Sequence, residues 1–278
     1  MKCMDADCMI SQHQSGVLLW IAYDGALFHG MARQQNSRTI AGELNGAIAA
    51  IDPHASLVRQ VSRTDAGVHA IRQAVAFDTT KKVSSRGWVL GLTKHLSREI
   101  SVTSASTVPV GFDPRDFVVS KTYRYRILQS QVRDPFLDRR AWRLGERLNH
   151  AAMKAEAAEL EGRHNFAAFR SVGDRRSDTW RNLTRVSLDE DPGDNRVIWW
   201  TFEGQSFLMH MIRIIVGTLV DVGRGKVAPG VCVRALTSCR RRDLGVTAPA
   251  AGLYLHHVEL TEQGADRWPR VDDSSLLT

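Results

Sequence analysis

The chain has 278 residues with 43% hydrophobic and 24% charged content, which suits a globular fold and excludes a wholly disordered or fibrous one. Lysine and arginine outnumber aspartate and glutamate 37 to 30, and the resulting net charge of +7 favours a polyanionic partner. No apolar run approaches the roughly 18 residues of a membrane span, and residues 17–22 are too short for a secretory core, so a cytoplasmic protein without membrane attachment is expected.

Residues 1–15 and 263–278 lack periodicity and are expected to be frayed tails. Residues 17–23 form a continuous apolar run of strand length, closed by the turn signal Asp24-Gly25. Ile40, Leu44, Ala47, Ile48 and Ile51 then recur at helical spacing, with Thr39 placed to cap the N-terminus and Pro53 just beyond the end. The segment SRTDAGVHA, residues 62–70, comes next, and residues 72–79 return to strand character.

A second block starts near Ser120. In KTYRYRIL, Tyr123, Tyr125 and Ile127 alternate with Thr122, Arg124 and Arg126, the period of a half-buried strand with one cationic face. Asn149 opens a helix through Ala152, Met153, Ala157 and Leu160, and residues 183–188 and 197–203 predict further strands. Residues 206–222 predict a helix apolar nearly all round, with Leu208, Met211, Ile212, Ile215, Leu219 and Val222 in one stripe and Gly223 placed to end it. Arg213 stands in its midst. A guanidinium cannot shed its proton to escape burial, so Arg213 needs a carboxylate partner or a mouth to solvent, and snorkelling to the helix rim would also satisfy it. The order of elements predicts an α/β (α+β) protein of two subdomains, residues 16–110 and 111–262.

Chemistry concentrates at Asp65. Arg63 and Thr64 offer donors beside its carboxylate, and Ala66 and Gly67 leave room for a flat ligand, as a nucleophile or base requires. Taken alone, T-D-A-G is more often an Asx turn between strands. Arginines gather at 139, 140, 143 and 147, at 170, 175, 176, 181 and 185, and at 240–242, in clusters that suit phosphate contacts as well as a solvated surface. Cys3, Cys8, Cys232 and Cys239 match neither a C-x-x-C pair nor a zinc knuckle, and no histidine falls in H-E-x-x-H, so free thiols and no metal site are expected.

SRTDAGVHA, KTYRYRI and SFLMHMIRIIVGTLVDVGRG, in that order, resemble the TruA family of tRNA pseudouridine synthases. YDGALFHGMARQ, FDPR at 112–115, FRSVGDRRSDTWRNL at 169–183 and TAPAAGLYL at 247–255 extend the likeness over roughly residues 17–260. The resemblance implies the pseudouridine synthase fold, with a mainly antiparallel sheet around a basic cleft. It also implies a cofactor-free homodimer that isomerises uridine in the anticodon arm of tRNA, at positions 38 to 40, on a base flipped out of its stack.

Carried over residue by residue, Asp65 takes the place of the catalytic aspartate, Tyr123 that of the active-site tyrosine, and Arg213 that of the basic residue paired with the aspartate. Arg63 matches the motif arginine that holds the flipped RNA, and Arg33, Arg170 and Arg181 are the further RNA contacts expected. Ser62 stands where the family usually has Gly, with an expected narrowing of the turn, and Met31 where Trp is frequent, with the expected loss of a stacking ring for RNA. Two other readings are an RNA-binding or tRNA-folding protein on the same scaffold without chemistry, and a hydrolase using Asp65 with water. The second lacks a clearly assigned carboxylate or histidine partner.

Overall fold

The computed structural model describes residues 13–261, so the expected tails, with Cys3 and Cys8, lie almost wholly outside the described residues. The chain forms two compact units. The first runs to Val119 and takes in the stretch from Val258 on, and the second is Ser120–His257.

In the first unit, β1 (Ser15–Tyr23) runs antiparallel to both β3 (His69–Thr79) and β4 (Ile100–Val108), with Leu19 opposite Val75 on one side and Ala105 on the other. Residues 16–21 are buried without a break, so both faces of the strand are covered, which is why its sequence is apolar without alternation. The short β2 (Arg59–Gln60) pairs with β3. Helix α1 (Ile40–Ile51) starts where its cap predicts: the Thr39 hydroxyl accepts the Gly42 N–H at 3.2 Å, and Ile40, Ala41, Leu44, Ala47 and Ile48 are buried. Helix α2 (Ser85–His95), which has no counterpart among the predicted elements, is capped by Ser84 in the same way and buries Trp88, Val89 and Leu92; the Trp88 ring meets Phe77 edge-on at 5.0 Å.

In the second unit, β5 (Val118–Gln129), β9 (Asp194–Gly204), β8 (Trp180–Asp191) and β7 (Gly162–Asn165) neighbour one another in that order, all antiparallel. The short β6 (Trp142–Leu144) joins β5 in parallel. Helix α3 (His150–Ala158) is capped by Asn149, whose side chain accepts the Ala152 N–H at 3.0 Å. Helices α4 (Met211–Gly223) and α5 (Val231–Ser238) precede β10 (Leu253–Leu260). Strands β5 and β10 both cross the division between the units. The molecule is thus α/β, as the order of elements predicts, with a mainly antiparallel set of strands, as the resemblance implies. Among the described residues no helix is long and apolar enough to cross a membrane.

Two boundaries differ from expectation. Helix α4 starts at Met211 rather than at residue 206, because the preceding backbone is committed elsewhere. The Met209 N–H goes to the Asp174 carboxylate at 2.8 Å, the Met209 carbonyl accepts from Ser171 at 2.9 Å, and the Phe207 carbonyl accepts from Arg176 at 2.9 Å. His210 then turns the chain with φ 62°. Apolar spacing continued upstream, but hydrogen bonds to residues 171–176 outcompete a further helical turn. At the other end Gly223 is the last residue of α4 rather than a left-handed cap beyond it: a Cβ there would come within 2.5 Å of the Met153 sulfur, and Gly225, at φ +69°, makes the turn.

Candidate active site

The site residues expected from the sequence fall in two constellations, one in each unit. In the first, residues 62–68 link β2 to β3 and are fixed chiefly through backbone. The buried Gln73 side chain pairs with the Ser62 peptide, accepting its N–H at 3.3 Å and donating to its carbonyl at 2.8 Å. The Thr64 carbonyl accepts the Met31 N–H at 3.1 Å, and the Thr64 and Tyr23 hydroxyls are hydrogen-bonded at 2.8 Å. Asp65 opens a four-residue turn in which its carbonyl accepts the Val68 N–H at 3.1 Å; Gly67 takes φ +77° and donates to the Phe28 carbonyl at 3.2 Å. Asp65 emerges half-buried, between an exposed Arg63 and an exposed Ala66.

The turn is also held from β1. His69 is buried and accepts the Gly25 N–H on Nδ1 at 3.1 Å, so the 24–28 turn docks on the end of the aspartate loop. The approach is close enough that a Cβ on Gly25 would sit 1.9 Å from the Val68 carbonyl oxygen. Gly25→Ala is therefore expected to cost about 1–3 kcal/mol of stability through overpacking and to lower activity with it, because the backbone that must give way belongs to the Asp65 loop. Thermal denaturation and turnover measure the two effects, and a variant unchanged in both would disprove this account of the loop.

Two expectations for this region need correction. Met31 is 0% exposed, a core residue tied to the Asp65 loop by its N–H and to α1 by its carbonyl, which accepts from Ala41 at 2.9 Å. No ring at that position would lie open to RNA. Ser62 does not set the turn, since Gln73 does. Its own hydroxyl is buried without a hydrogen-bond partner, a burden of about 1–3 kcal/mol that a glycine there would not carry.

In the second unit, β5 places alternate residues on one face. Tyr123, 8% exposed, meets the Phe207 ring edge-on at 5.0 Å. Tyr125, two residues on, is fully buried and donates its hydroxyl to the Pro249 carbonyl at 2.7 Å. Burial holds its phenol protonated far above the usual range, against the opposing pull of the nearby Arg213. Arg213 is half-buried on the first turn of α4, and it clamps the same 247–250 segment twice. Its Nε donates to the Ala248 carbonyl at 2.8 Å and its own carbonyl accepts the Ala248 N–H at 2.9 Å. Strand β5, α4 and the TAPA segment thus fix Tyr123, Tyr125 and Arg213 at one face. The Phe207 ring beside Tyr123 is hidden in the sequence because residues 206–209 continue the apolar spacing of α4 without belonging to it.

The opposite face of β5 is less open than a cationic strand face suggests. The Arg124 and Arg126 guanidiniums lie 4.4 and 4.2 Å from the Trp199 ring, stacked over it rather than extended towards solvent. Of the other expected RNA contacts, Arg33 is exposed, Arg170 is half-buried and donates to the Arg176 carbonyl at 2.6 Å, and Arg181 is only 7% exposed. Arg181 directs Nη1 to the Asp178 carbonyl at 3.3 Å, which makes it a brace of the 178–181 bend and not an open phosphate contact. Arg139, Arg140, Arg143, Arg147, Arg175 and Arg185 remain exposed. No group of three or more His, Cys, Asp or Glu side chains among the described residues is arranged to hold a metal ion.

A family model described as tRNA pseudouridine synthase matches residues 157–260. Curated relatives called tRNA pseudouridine synthase A match nearly end to end. The protein of Geobacter sulfurreducens is 36% identical over 242 residues, covering 87% of this chain and 98% of the relative. That of Acetivibrio thermocellus is 34% identical over the same extent. That of Buchnera aphidicola subsp. Acyrthosiphon pisum (strain APS) is 34% identical over 254 residues, covering 90% of this chain and 93% of its own length.

Proposed function

The chain belongs to the tRNA pseudouridine synthase A family, and we propose that Asp65 is the nucleophile with which it isomerises uridine to pseudouridine in tRNA. The observation that carries this reading is the Asp65 loop, a half-buried carboxylate on a turn whose flanking peptides are pinned by Gln73, Met31 and Phe28. Such fixation keeps a nucleophile from reorganising as the reaction proceeds.

The reaction must break the glycosidic C–N bond, turn the uracil and join its C5 to the sugar, so a base embedded in a stem has to leave its stack first. Asp65 supplies the attacking carboxylate, Tyr123 a ring for the flipped base, and Arg213 the cation on which the reactivity of the carboxylate depends. Arg63, exposed two residues before Asp65, is suited to hold the RNA in the flipped form. Family membership supports the anticodon arm as the place of action and a homodimer as the working state.

Unmodified tRNA incubated with the protein and mapped nucleotide by nucleotide tests the reading. A synthase leaves the RNA mass unchanged and produces a base that resists glycosidic cleavage, at positions 38 to 40 if the anticodon arm is the substrate. An abasic site would mean a hydrolase, and unaltered RNA a binding protein; either outcome rejects the proposal.

A further inference from the structure

Lys121 begins the KTYRYRI strand and has no part in the roles assigned above. Residues two apart on a strand share a face, so its side chain leaves β5 beside those of Tyr123 and Tyr125. Its partner on β9 is Gly204, which offers no side chain to meet it, whereas Tyr123 stands opposite Phe202. Lys121 is half-buried and, among the described residues, its ammonium makes neither a hydrogen bond nor an ion pair.

The charge that acts on it is another cation, Arg176. The carboxylate next to that arginine is already taken. Asp174 receives Arg176 through Nε at 2.9 Å and Nη2 at 2.6 Å, and it also accepts the Arg176 and Met209 backbone N–H groups at 3.1 and 2.8 Å. Burial, and then Arg176, pushes the Lys121 ammonium down to about 8, so at neutral pH the group is still mostly charged. A half-buried ammonium under the influence of a second cation is unfavourable in the free protein and becomes favourable when an anion arrives.

We propose that Lys121 is a positioning residue that binds a backbone phosphate of the tRNA at the target nucleotide and so sets the base against the Tyr123 ring. The spacing suits this. Two residues along a strand span about 6.5 Å, comparable to the reach from a base to the phosphate of its own nucleotide. An ammonium is a compact point charge that serves a single phosphate oxygen without needing the planar fork of arginine. The inference rests on the proposed reaction for the identity of the nucleotide, but its test reads binding and stability.

Affinity of the full chain for an unmodified tRNA transcript is measured against salt for wild type, Lys121→Met and Lys121→Arg, with melting temperatures and wild-type turnover taken in parallel. Wild type should show a steep log–log slope. Lys121→Met is expected to bind about tenfold more weakly with a slope shallower by about 1, and yet to melt higher, because it removes an unpaired half-buried charge. Lys121→Arg should keep the wild-type slope. Unchanged affinity and slope in Lys121→Met, a lower melting temperature, or loss of slope in Lys121→Arg would each overturn the proposal. Absence of wild-type turnover would strike the proposed reaction alone.

Discussion

Asp65→Asn is expected to abolish pseudouridine formation while leaving affinity for tRNA within about tenfold, or ~1.4 kcal/mol. The substitution is nearly isosteric and removes only the charge and nucleophilicity of one oxygen. The loop should survive it, because the bonds of the Asp65 carbonyl, the Thr64 carbonyl and hydroxyl, and the Ser62 peptide hold residues 62–68 and the change touches none of them. Asp65 is half-buried rather than sealed in the core, so the amide has room for its extra hydrogens. Loss of turnover with retained binding and an unchanged melting temperature would place the defect in the chemical step. Any measurable turnover by the pure variant would remove Asp65 from the nucleophile's role, whichever atom of the nucleotide is attacked.

Local periodicity and caps made much of the fold legible. Helix α1 lies where Thr39 and the spacing of Ile40, Leu44 and Ile48 predict, and β1 where the apolar run does. Legibility failed where distant residues claim a backbone or a side chain. The start of α4 is decided by Asp174 and Arg176, more than thirty residues upstream, and no window around Ser206 contains that information. Met31 is closely followed by the exposed Arg33, Gln34 and Gln35, and its place in the core depends on packing that no local window of sequence contains. Helix α2 is faint in the sequence: Ser84 and the spacing of Trp88 and Leu92 mark it, but its amphipathic stripe is short and interrupted by Gly87 and Gly91. In the candidate site, Asp65, Tyr123 and Arg213 stood out because motifs mark them. Lys121 did not, because nothing in KTYRYRI reveals that one of its cations lacks a partner while two others stack on Trp199.

Arg213→Ala is expected to lower the single-turnover rate by about 10²–10³-fold, the usual consequence of deleting one preorganised electrostatic contact. The melting temperature should fall only slightly. Of the contacts given for Arg213, the truncated side chain forfeits the Nε bond to the Ala248 carbonyl, about 1 kcal/mol, while the backbone bond from Ala248 to the Arg213 carbonyl persists. Tyr125 still anchors the same segment through Pro249. Arg213→Lys separates charge from geometry. An ammonium restores the cation, but it is a point charge on a flexible stem and cannot hold the Ala248 carbonyl through Nε while presenting a planar pair of N–H groups beyond it. The lysine variant should therefore fall between alanine and wild type in rate and fold as stably as either. Equal rates for alanine and lysine would mean that the charge itself contributes nothing, and a wild-type rate for the alanine variant would remove Arg213 from the mechanism.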